Sequence, residues 1–142
     1  MLGVADVAFI GNQLYALLTG GGCSHGHPKA PNAILKVDAD GSWKRIANLS
    51  DFLHLHPVKN PNPADFEPDG SWYGMIAFGG NLYAIEPNHG EVDSITPQGI
   101  VTRLVDVSET QGHVVHVRFS DGESKRPCEA WTLTRRPPWS GR

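Results

Sequence analysis

One stretch of this chain occurs twice, and the duplication limits the possible folds more than any other feature. Asp6-Val-Ala-Phe-Ile-Gly-Asn-Gln-Leu-Tyr-Ala-Leu17 recurs as Gly74-Met-Ile-Ala-Phe-Gly-Gly-Asn-Leu-Tyr-Ala-Ile85, with Gly11, Leu14, Tyr15 and Ala16 matching Gly79, Leu82, Tyr83 and Ala84. Downstream, residues 33–50 lie over 91–108 without a gap, so that Gly41, Arg45 and Ser50 fall on Gly99, Arg103 and Ser108. The offset falls from 68 to 58 between the two halves of the unit, which puts ten extra residues into the first copy, between Thr19 and Ala33. A repeat of this size is one supersecondary unit used twice, and the extra residues mark a loop.

Each copy reads as four short strands rich in apolar and aromatic residues and bounded by Gly, Asn, Asp and Pro. In the first copy they run Val4 to Ile10, Leu14 to Leu18, Ala33 to Asp38 and Ser42 to Ala47. In the second they run Tyr73 to Phe78, Leu82 to Glu86, Glu91 to Ile95 and Ile100 to Asp106. Gly 16 and Pro 11 among 142 residues are spread as punctuation between these runs, which favours strands and tight turns over long helices.

Consecutive strands joined by such turns pair antiparallel. The expected fold is therefore all-β: a partial β-propeller of two four-stranded antiparallel blades, residues 3–52 and 71–110, with His113-Val-Val-His-Val-Arg-Phe119 as the first strand of a third. A single eight-stranded β-sandwich would use the same strands, but nothing in it requires an in-register repeat. Propellers close with about 4 to 8 blades, so this reading predicts self-association through open blade edges or a truncated ring. Residues 120–142 show no strand or helix period and read as an irregular or disordered basic tail.

The formal charge is -3. It supports neither a nucleic-acid partner nor an anionic membrane surface. From Arg118 onward six Lys and Arg stand against Asp121, Glu123 and Glu129, so the tail is near +3 and the body near -6. No apolar run approaches the roughly 20 residues of a membrane-spanning helix, and no basic, apolar export signal opens the chain. Cys23 and Cys128 are too far apart in sequence to establish a disulfide framework.

Strands that alternate in direction send the first and third connectors of a blade to one face, and the second connector and the inter-blade link to the other. The long segments Gly20 to Asn32, Asn48 to Ser71, Pro87 to Gly90 and Ser108 to Gln111 therefore share a face. His25, His27, His54, His56 and His89 lie on it, with His113 at its margin. Long loops on a rigid scaffold are where binding residues concentrate. Cys23, His25 and His27 have donor chemistry suited to a divalent metal such as zinc or copper, although their spacing is not a standard zinc signature. Glu67, Asp69, Glu86 and Glu91, beside Asn88 and His89, could act as acid and base or as calcium ligands. Turn formation accounts for Pro, Gly, Asn88 and Asp69 but requires neither Glu86 nor His89. His54-Leu-His56 and the Pro-rich run to Pro63 read as an exposed extended linker.

Four segments together resemble the ScyD/ScyE family of NHL-like propeller proteins, over roughly Gly3 to Val115. They are Gly20-Gly-Gly-Cys-Ser-His-Gly26 with Pro31-Asn32, Phe66-Glu-Pro-Asp-Gly-Ser-Trp-Tyr73, Tyr83-Ala-Ile-Glu-Pro-Asn-His-Gly-Glu91 and Ser108-Glu-Thr-Gln-Gly-His-Val-Val115. The resemblance implies a larger, exported propeller, commonly of six blades. After Val115 the sequence departs from the family pattern. The expected function is a binding or accessory module that recognises a small molecule, peptide or glycan on the long-loop face. His25, Asp69, Trp72, Tyr73, Glu86, Asn88, His89 and His113 are its contacts. The alternatives are a metal-assisted lyase or hydrolase, a pigment-biosynthesis enzyme, and an inactive truncated fragment.

Overall fold

In a computed structural model of the 142-residue chain, residues 1–61, 67–108, 115–117 and 133–135 are described. The eight expected strands form, within a residue or two of their expected bounds. The first sheet contains β1 (Gly3–Ile10), β2 (Gln13–Thr19), β3 (Ala33–Val37) and β4 (Trp43–Asn48) in that spatial order. The second contains β5 (Gly74–Phe78), β6 (Asn81–Glu86), β7 (Glu91–Ile95) and β8 (Val101–Asp106), also in chain order. All neighbours are antiparallel. Both sheets are open, and their edges are β1 and β4 in one and β5 and β8 in the other.

The duplication extends to an irregularity. The β3–β4 ladder shifts register between Ile34 and Leu35, and the β7–β8 ladder shifts between Val92 and Asp93. These positions are equivalent at the offset of 58. A bulge bends its strand and increases the local twist, so both sheets are shaped at the same point and can stack in the same way.

Alternation along each strand determines what is buried. Ala8, Tyr15, Leu17, Ile34 and Ala47 from the first sheet share one core with Met75, Leu82, Ala84 and Ile95 from the second. A hydrogen bond ties the inner strands together, with Asp6 Oδ2 accepting from the Met75 N–H at 2.8 Å. At the bottom of the stack Gly99, with φ 89°, comes so close to β4 that an added Cβ would stand 1.9 Å from the Ile46 carbonyl oxygen. Only glycine fits this turn, for conformational and steric reasons alike.

The segment expected to be an extended linker begins instead as a helix, α1 (Leu49–Leu55). Asn48 caps it by accepting from the Asp51 N–H at 3.1 Å. Leu49 and Leu53, four residues apart on one helical face, bury into the common core. His54 and His56 therefore occupy the last turn and the C-cap rather than alternate positions on a strand. Further along, β9 (Val115–Val117) forms where the third blade was expected to begin. It pairs antiparallel with β10 (Leu133–Arg135), a short strand within the stretch expected to be irregular. His113 and the remainder of 120–142 lie outside the described residues.

Candidate functional site

The connector between the sheets touches the β2–β3 loop of one sheet and the β6–β7 connector of the other within three residues. Asp69 meets the first. Its Oδ2 accepts from the Cys23 N–H at 2.8 Å, at the start of a short 3₁₀ turn, Cys23–His25. Gly22 makes this approach feasible: its φ is 89°, and an added Cβ would fall 2.2 Å from Asp69 Cγ. On the other side of the same carboxylate, His54 Nε2 stands 3.5 Å from Oδ1. Burial pushes the Asp69 carboxyl up, but the His54 side chain and the Cys23 N–H outweigh it and hold the group below its ordinary value.

Asn32 anchors the backbone of this connector from within. It is fully buried. Its Nδ2 donates to the Asp69 and Gly70 carbonyls at 2.9 and 2.8 Å, and its Oδ1 accepts from the Gly21 N–H at 3.2 Å. The Ser50 hydroxyl, at the start of α1, donates to the Asp69 carbonyl at 2.8 Å and accepts from the Asn32 N–H at 3.0 Å. One amide and one hydroxyl thus lock together three segments distant in sequence. Buried polar groups satisfied this completely specify a single arrangement.

Two residues on, Ser71 meets the second sheet. Glu86 closes β6 with no exposed surface. Its Oε1 accepts from the Ser71 N–H at 2.7 Å and its Oε2 from the His89 N–H at 2.5 Å, with His89 Nδ1 at 3.1 Å. Glu86 therefore clamps the β6–β7 turn onto the inter-sheet connector. The Cys23–His25 loop and the His89 turn consequently sit at the same end of the two sheets.

Deeper along β7 lie Glu91 and Asp93, both buried. Arg103 on β8 pairs with Glu91, donates to the carbonyls of His56 and Pro57, and lies 5.5 Å over the Phe52 ring. Trp72 donates its indole N–H to Asp93 Oδ2 at 3.0 Å. Desolvation, then the charge of Asp93, raises Glu91 to about 7 in spite of Arg103. Desolvation raises Asp93 to about 6. Glu91 Oε1 and Asp93 Oδ1 find no donor among the described residues.

Of the residues expected to contact a ligand, His25, Asn88 and Tyr73 reach solvent, and Tyr73 is exposed. Trp72, Glu86 and His89 are interior: the indole is in the core, and the other two form the clamp. Their place is behind the surface rather than on it. His25 Nδ1 lies 3.2 Å from the Gly21 carbonyl. On the other edge of the ring, Nε2 faces Glu67 Oε2 at 3.7 Å. Among the described residues, no three His, Cys, Asp or Glu side chains gather as a metal site, and Cys23 is not a free thiol. The structure adds Asn32, Ser50 and His54 to the group. An N-cap Asn followed by Asp and by Leu49 and Leu53 signals the helix that brings His54 to Asp69. No local pattern announces Asn32, whose side chain meets Gly21 in its own loop and Ser50, Asp69 and Gly70 from two other segments.

The outer layer therefore consists of two imidazole–carboxylate pairs, His25 with Glu67 and His54 with Asp69, all four side chains between 11% and 27% exposed. Together they offer both donors and acceptors at fixed positions, suited to a polar ligand bearing hydroxyl or amide groups. Comparison with known families, curated proteins and solved structures finds no match to this chain.

Proposed function

We propose that this chain is a propeller-type binding module whose long-loop end recognises a hydroxyl-rich small molecule or glycan. The supporting observation is the paired arrangement of His25 with Glu67 and His54 with Asp69 at the surface of a rigid polar scaffold. A loop kept in place by Asn32, Ser50 and Glu86 holds its surface groups in one geometry, which reduces the ordering cost of binding. Imidazoles beside carboxylates match alternating donors and acceptors on a sugar, and exposed Tyr73 at the entry to β5 supplies an apolar ring. The four-stranded repeat and the resemblance to the ScyD/ScyE family agree with a module of this kind.

The test is a thermal-shift screen against oligosaccharides and polyols, followed by titration calorimetry with those that raise the melting temperature. His25→Ala and Glu67→Gln are expected to weaken binding about tenfold or more each, equivalent to about 1.4 kcal/mol. A screen without any shift, or equal affinity in both variants and wild type, removes the reading.

A further inference from the structure

The two sheets meet through positions whose repeat equivalents face away from the stack. On the first sheet Ala8, Ile10, Leu17, Ile46 and Ala47 lie in the shared core. Shifted by 68 or 58, they become Ile76, Phe78, Ile85, Leu104 and Val105 on the second sheet, between 40% and 73% exposed. The converse holds on the other side. Met75, Ala77 and Val101 pack into the core, and their equivalents Val7, Phe9 and Trp43 are between 51% and 64% exposed. The outer faces are thus the two halves of a contact that the chain already makes once within itself. Exposed apolar surface of this extent marks an interaction site.

We infer that a second copy of this chain docks head to tail. The outer face of the second sheet in one copy covers the outer face of the first sheet in the next, repeating the internal contact. Continuity with that contact identifies the occupant, because the apolar positions, the strand order and the bulge are those of the existing pair. The backbone has room for it. Gly99 abuts the Ile46 carbonyl, whereas its equivalent Gly41, with φ 83°, has nothing within 4 Å. In the assembly Gly41 takes the place of Gly99, and Leu104 of the second copy that of Ile46. The contact joins unlike faces and is heterologous, so it either closes into a ring or continues. With two sheets per copy, a ring of about 4 to 8 sheets takes about two to four copies.

The experiment is light scattering after size exclusion over a dilution series of the whole chain. Wild type is expected to exceed the monomer mass at high concentration. Phe9→Lys and Ile76→Lys, on opposite faces, are each expected to remain monomeric, with circular dichroism and thermal unfolding like wild type. An equimolar mixture of the two still contains one intact pair of faces, and a heterodimer of twice the monomer mass that grows no further is expected. Gly41→Ala is expected to weaken association about tenfold or more by intruding on the approach. A wild type that stays monomeric throughout, assembly that survives both lysine substitutions, loss in one variant only, or unchanged association in Gly41→Ala each overturns the inference.

Discussion

Trp72 and Asp93 are both fully buried, and the indole N–H donates to the carboxylate at 3.0 Å. Because Asp93 Oδ1 has no donor among the described residues, this bond is the main compensation for its desolvation. Trp72→Phe keeps most of the apolar volume but removes the donor. Urea denaturation is expected to show a loss of about 2–3 kcal/mol with an unchanged m-value. Trp72→Phe combined with Asp93→Leu is expected to recover part of that loss, since no buried charge is then stranded.

The same β7 carboxyls set a pH dependence. Burial raises Glu91 to about 7 and Asp93 to about 6, above their ordinary values of 4.5 and 3.8. The folded protein therefore holds protons that the unfolded chain has released, and stability falls as pH rises through this interval. Glu86 and Arg103 are the charged neighbours in the same layer. Melting curves from about pH 4.5 to about pH 7.5 are expected to decline by several degrees, most steeply below about pH 7. Glu91→Gln is expected to flatten the upper part of the decline. A melting temperature that rises across this range contradicts the assignment.

Arg103 connects β8 to the end of α1 through Glu91, the His56 and Pro57 carbonyls and the Phe52 ring. Arg103→Leu leaves Glu91 buried beside Asp93 without a cation. A destabilisation of about 3 kcal/mol or more is expected in chemical denaturation. Glu91→Leu added to Arg103→Leu is expected to cost less than the single change, and this non-additivity is the diagnostic result.

Asn32→Ala strands the Gly21 N–H and weakens the hold on the Asp69 and Gly70 carbonyls. A loss of about 2–4 kcal/mol is expected. Amide hydrogen exchange is expected to quicken first at Gly21, Cys23 and Gly70, because their hydrogen bonds depend on the connector staying in place.

The sequence alone determined the eight strands, their tight turns and the clustering of long loops at one end. Those features follow from local periodicity, from glycine conformations and from a duplication visible without any contact information. It also carried the donor types at the long-loop end. Which donors reach solvent was decided only by tertiary structure. Trp72, Glu86 and His89 are polar or amphipathic and look surface-bound in sequence, but the stacking of two sheets turns them inward, where hydrogen bonds offset the desolvation of their polar groups. Asn32 and Ser50 gain their roles from partners tens of residues away. Helix α1 is masked in the sequence by the Pro-rich run beyond it, which dominates the local composition, while the burial of Leu49 and Leu53 that stabilises it depends on a core built by both sheets.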